Sequence, residues 1–148
     1  MHRLTEKIGH DTSGEADSIT LSYAERTKSR LRITTDKGSE AGLFLPRGTI
    51  LNNGDFLRGE DGLIVKVYAA SETVSSASTR DPLLLSRACY HLGNRHVALQ
   101  IGTDRVHYLH DHVLDDMVRS LGLTVEVIEA PFEPEPGAYQ GNSHAYGH

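Results

Sequence analysis

Between Ser18 and about Ala70 the apolar residues come in short segments, and each break carries turn chemistry: Asp36-Lys37-Gly38, Pro46-Arg47-Gly48, Asn52-Asn53-Gly54 and Glu60-Asp61-Gly62. Glycine supplies positive φ at little cost, and Asp or Asn bonds back to its own backbone. Such punctuation predicts short strands joined by tight turns, a small all-β unit. Within it Leu31 and Ile33 alternate with Arg30 and Arg32, and Lys28 and Arg26 continue the basic set at even spacing. If that whole stretch is extended, one face is cationic. It is then either a solvated sheet edge guarded by charge or a surface for an acidic peptide or partner.

After Ala70 the pattern changes. SETVSSASTRD is rich in Ser and Thr and reads as a linker, the first strand of a second unit, or both. Asp81 then caps a helix with Pro82 at its first position, and Leu83, Leu84, Arg87, Ala88, Tyr90 and His91 follow until Gly93 supplies the expected stop. Val97 to Ile101 and Arg105 to Leu109 alternate and are joined by Gly102-Thr103-Asp104, which predicts a hairpin. Asp111 caps a second helix whose apolar stripe is Val113, Leu114, Met117, Val118 and Leu121, ended by Gly122, and Thr124 to Ile128 is a final strand. The order β-α-β-β-α-β is that of the ferredoxin-like fold. The predicted class is therefore α+β, with a β-rich domain over residues 1–72 and a ferredoxin-like domain over 73–132. The segment 133–148, rich in Pro, Gly and polar residues, is expected to form a flexible tail.

Composition narrows the chemistry. A chain of 148 residues is enough for one ordinary domain or two small ones. No apolar run is long enough to span a bilayer, and MHRLTEKIGH lacks the basic start and apolar stretch of a secretory signal, so a soluble, cytoplasmic protein is expected. A net charge of −5 with interspersed signs argues against nucleic acid as a partner. Cys89 is the single cysteine, which excludes an intramolecular disulfide and a thiolate-rich metal site, so any metal is held by nitrogen and oxygen. The histidines are the notable feature: seven of the nine lie from His91 onward.

His110 and His112 are two apart, and on extended backbone such residues point the same way with Cα atoms about 7 Å apart, near enough for two imidazoles to meet at one ion. Asp111 between them is a helix cap, an outer partner or a weak ligand. His107 falls on the opposite strand face and reads as an ordinary surface or packed residue. His91, in the last helical turn, has sufficient reason in the helix dipole. His96, beyond Gly93, is either a loop histidine that merely hydrogen-bonds or, in a two-fold dimer with this residue near the axis, one half of a ligand pair bridging the subunits. His144 and His148 in the tail are weaker candidates for loose capture of an ion.

ACYHLGNRH, then an apolar strand, HDHVLDDM and PFEPEPGAY, together with GLFLPRGTILNNGDFL in the first half, resemble the urease accessory nickel metallochaperone family, UreE, and the likeness covers nearly the whole chain. The resemblance implies a peptide-binding-like β domain, a ferredoxin-like metal-binding domain, and a homodimer formed through the latter. It implies Ni(II) as cargo, His96 as the ligand shared across the dimer axis, and His110 and His112 as peripheral ligands. The implied partners are the urease apoprotein complex and its accessory GTPase. Two features depart from the family pattern. Only His144 and His148 stand where many members carry a histidine-rich tail, and Leu109 replaces a histidine found in some relatives. Imidazole sites also accept Zn(II) and bind Cu(II) more tightly, so nickel follows from the resemblance and not from the ligands. Two other functions fit the residues: a metal-dependent hydrolase using HDHVLDD, and a protein-binding adaptor acting through the cationic strand.

Overall fold

The computed structural model describes residues 1–9 and 14–137, which divide into two compact units between Ala70 and Ser71. The first unit is a six-stranded sheet built from β1 (His2–Ile8), β2 (Glu15–Leu21), β3 (Arg30–Thr34), β4 (Glu40–Phe44), β5 (Phe56–Gly59) and β6 (Ile64–Ala69). Its strand order is β2-β6-β5-β1-β4-β3, with β1/β4 and β2/β6 parallel and the remaining neighbours antiparallel. The glycines of all four turn motifs, Gly38, Gly48, Gly54 and Gly62, have positive φ. Gly38 and Gly62 turn the β3–β4 and β5–β6 hairpins. Leu4, Ile19, Leu43, Leu57, Val65 and Val67 form the centre of a core with no exposed surface.

Two expectations for this unit are corrected. The sheet does not begin near Ser18, because β1 occupies the first residues and lies between β4 and β5. The basic set does not form one extended face either. Ser22 caps a single helical turn, α1 (Tyr23–Arg26), through a capping box with Glu25. This turn folds Arg26 inward to 1% exposure, where its guanidinium donates to the carbonyls of Leu21 and Leu51. Only Arg30 and Arg32 share a face of edge strand β3.

The second unit contains β7 (Ser71–Ser78), α2 (Pro82–Asn94), β8 (Gln100–Ile101), β9 (Arg105–Leu109), α3 (His112–Leu121) and β10 (Thr124–Pro131). The sheet is wholly antiparallel with order β10-β7-β9-β8, the ferredoxin-like arrangement. Both helices pack on one face, where Ala77, Leu85, Ala88, Leu92, Val106, Tyr108 and Val118 are buried together. Beyond β10 the chain crosses the opposite face from one edge to the other: the Glu133 N–H donates to Gln100 Oε1 (3.0 Å) and the Glu135 N–H to the Leu99 carbonyl (2.6 Å). The expected flexible tail thus begins with an ordered crossing, and its residues 138–148 lie outside the described part.

Candidate metal-binding site

The strand β9 alternates as required. Val106 and Tyr108 point into the helix-covered core, while Arg105 and His107 take the other face. Across the ladder Tyr108 stands opposite Ser75 of β7, and both are fully buried. A phenol buried this deeply needs a partner for its hydroxyl. It finds one in Asp115 of α3: the Tyr108 hydroxyl donates to Oδ1 at 2.7 Å. Burial and the Asp115 carboxylate hold the Tyr108 phenol far above its ordinary range.

His110 follows the last residue of β9, and its backbone N–H still donates to the Thr73 carbonyl of β7. Its ring leans over the same polar cluster. Nδ1 is 3.1 Å from Asp115 Oδ2 and 3.1 Å from Ser75 Oγ, with the side chain 37% exposed against 2% for Asp115. Asp111 is extended and caps α3, its Oδ1 accepting from the N–H groups of Val113 (2.9 Å) and Leu114 (3.2 Å). His112 is the first helical residue and is exposed, as are Asp111 and Val113. The pair His110 and His112 therefore flanks a rigid cap. The expected stripe of α3 needs one change: Val113 is 56% exposed, and the buried position in this first turn belongs to Asp115.

His96 has an unexpected backbone. Gly93 does not stop α2, which runs on through Asn94. The ending is a Schellman motif: the Val97 N–H donates to Leu92 O (3.3 Å) and the His96 N–H to Gly93 O (2.9 Å). That motif needs a left-handed residue at the position His96 occupies, and His96 has φ +61°, the only non-glycine with positive φ among the described residues. The equivalent place at the end of α3 is taken by Gly122 at φ +113°. The exposed His96 side chain thus sits on a locally strained turn. The motif also explains why β8 is shorter than the expected run from Val97. The Val97 N–H serves the helix end, and the ladder begins only at Gln100, opposite His107.

His107 lies on the sheet face away from the helices, shared with Gln100 and Ser76. Its Nε2 is buried and finds no hydrogen-bond partner among the described residues. Burial and then the charge of Arg105 push its ring below the ordinary histidine pKa, which favours the neutral form. His91 is exposed in the last turn of α2, and His144 and His148 lie outside the described residues. Among the described residues no three His, Cys, Asp or Glu side chains converge to hold an ion. His110 and His112 stand on either side of the Asp111 cap, the first after β9 and the second at the start of α3. From the sequence only one of Asp115 and Asp116 can face the histidines; the structure shows that it is Asp115, buried behind His110. The available signal was Tyr108, an inward-facing phenol that had to find an acceptor.

A β-rich unit followed by a ferredoxin-like unit, with exposed imidazoles flanking a helix cap and another on a left-handed helix end, defines a two-part α+β class. Family models place it. The chain matches the UreE urease accessory protein N-terminal domain over residues 2–70 and the corresponding C-terminal domain over 72–148. It is 58% identical to the urease accessory protein UreE of Vibrio parahaemolyticus, across all of this chain and 99% of the relative. Against the proteins of the same name from Proteus mirabilis and Pseudomonas putida the identities are 56% and 54%, over 88% and 97% of this chain and 83% and 88% of theirs. The chain belongs to the UreE urease accessory protein family.

Proposed function

We propose that this protein is a cytoplasmic nickel metallochaperone that delivers Ni(II) to apo-urease during assembly of its metallocentre. His96, contributed by each copy of a homodimer formed through the ferredoxin-like unit, holds the principal ion across the two-fold axis. His110 and His112 form a peripheral, exchangeable site. The urease apoprotein complex and its accessory GTPase receive the ion, and the residues 138–148, with His144 and His148, add loose capture.

The observation that carries this reading, beside the family itself, is the left-handed His96. Glycine would fill that helix-end position without steric cost, so a histidine there is favoured by what its side chain does. Few imidazoles on exposed backbone suit a carrier, which must release its ion to a better-built site. Zn(II) and Cu(II) are expected to occupy the same ligands in competition. The hydrolase reading has less behind it: Asp115, the carboxylate facing His110, is already engaged by Tyr108 and His110 and is not free to act as a base.

The test is nickel stoichiometry and oligomeric state of the intact protein beside His96→Ala and a His110→Ala/His112→Ala double variant. The tightest site should hold half an ion per chain and vanish in His96→Ala, whereas the double variant should lose only weaker ions. Nickel-loaded wild-type protein should activate urease apoprotein at limiting metal, and loaded His96→Ala should not. Unchanged tight binding in His96→Ala would remove the shared-ligand reading.

A further inference from the structure

Asp115 has neither the exposure nor the free oxygens of a metal ligand. It is 2% exposed on the inward face of α3 and both its oxygens are engaged, one by the Tyr108 hydroxyl at 2.7 Å and the other by His110 Nδ1 at 3.1 Å. The arrangement has a direction. Tyr108 is wholly buried and has to find an acceptor, but the 37%-exposed His110 ring has water within reach and needs no buried partner of its own. A carboxylate oxygen is an acceptor, so the partner that suits it at this distance is a ring nitrogen that carries the hydrogen. Ser75, fully buried on β7, places its Oγ 3.1 Å from the same nitrogen, so His110 is held by side chains from two different elements. Nε2 lies at the far side of the ring from this cluster and keeps its lone pair.

We propose that Asp115 is a positioning residue for nickel: buried between Tyr108 and His110, it fixes His110 as the Nδ1–H tautomer and presents Nε2 outward as the ligand atom. This rests on the reading of His110 as a nickel ligand. A histidine ligand that donates its other N–H to a carboxylate is oriented before the ion arrives and is a stronger donor to it, and loss of such a partner weakens metal binding about 10–100-fold. The rigid links run from β9 through Tyr108, and from β7 through Ser75, to a ring at the open end of the unit. The peripheral site therefore owes its geometry to the core beneath it.

The decisive measurement is made on the wild-type protein. In the metal-free full chain at alkaline pH, the 15N shifts of His110, assigned by comparison with His110→Ala, should report the Nδ1–H tautomer; a predominant Nε2–H form overturns the proposal. Titration with Ni(II) alone then compares wild type, Asp115→Ala and Asp115→Asn, with circular dichroism to establish that each is folded. Asp115→Ala should mix the tautomers and weaken the His110-dependent nickel by about 10–100-fold. Asn keeps an acceptor oxygen, so Asp115→Asn should retain the tautomer and recover part of the affinity. A purely structural role for Asp115 would lower stability and leave the tautomer in place. If both variants bind the peripheral ion as tightly as wild type, the proposal fails. If wild type shows no nickel that depends on His110, it is the nickel reading that fails, and the tautomer alone decides the role of Asp115.

Discussion

A left-handed residue other than glycine, asparagine or aspartate costs about 1–2 kcal/mol relative to the right-handed regions. His96 carries that cost at the end of α2, while Gly122 avoids it at the end of α3. The metal-free His96→Gly protein is therefore expected to be the more stable. Relief of the backbone should exceed the entropy that glycine adds to the unfolded chain, leaving a gain of about 0.5–1 kcal/mol. It should also lose the shared nickel. Urea midpoints with chelator present and nickel stoichiometry without it are the two measurements. A His96→Gly midpoint at or below that of wild type would show that the turn is not strained. The sequence led to Gly93 as the helix stop because glycine is the usual left-handed residue. Nothing in the sequence marks a histidine as its substitute, since the choice between Gly93 and His96 is made by which carbonyls the N–H groups of His96 and Val97 can reach.

At the level of elements, the start of α3 decides whether Asp111 is a cap or a ligand. Its Oδ1 already accepts two N–H groups, so removing the side chain in Asp111→Ala should cost about 1 kcal/mol of stability and loosen the joint between His110 and His112. Asn caps as well as Asp, and Asp111→Asn should keep both the helix and the peripheral nickel. Loss of that nickel in Asp111→Asn, as large as in His110→Ala, would make Asp111 a ligand instead. Strand β9 carries a second expectation. His107 faces Gln100 of β8, Ser76 of β7 and the charges of Arg105 and, on β10, Glu126. Its folded-state pKa lies below the ordinary value of about 6.5, so the unfolded chain takes up the proton more readily. Stability from this residue is thus complete at neutral pH and above, and declines as pH falls through about 6.5 and below. Comparing midpoints at neutral and mildly acid pH, His107→Leu should lose less on acidification than wild type. An equal loss would clear His107 of the effect.

The elements that could be read in the sequence are those whose signals are local. The four glycine turns, the Asp81-Pro82 and Asp111 caps, and the alternation of β9 needed no distant contact to be recognised. β1 was not legible, because Leu4 and Ile8 among charged and polar neighbours make a weak pattern that only its place between β4 and β5 stabilises. Nor was α1, a single turn decided by a capping box that pulls Arg26 into the core. Of the candidate site, His110 and His112 were visible as spacing. The sequence left open which of Asp115 and Asp116 faces the histidines and did not show that it is buried, because a carboxylate on a helix is ordinarily solvated and the burial of Asp115 is set by a tyrosine on another strand.

Across the whole molecule, the ordered crossing after β10 marks where the chain can be shortened. A protein ending at Gly137 keeps the crossing through Glu135 and is the reference for a shorter one. One ending at Pro131 loses Phe132, which has no exposed surface, and should be less stable by about 2–3 kcal/mol. Equal midpoints for the two truncations would show that the crossing adds nothing. The same crossing bears on biosynthesis. In the ferredoxin-like unit the first strand, β7, pairs with the last, β10, and the two-residue strand β8 is tied down by Glu133 and Glu135. These residues come last in the unit. The second sheet therefore cannot close until β10 and the residues through Glu135 have emerged.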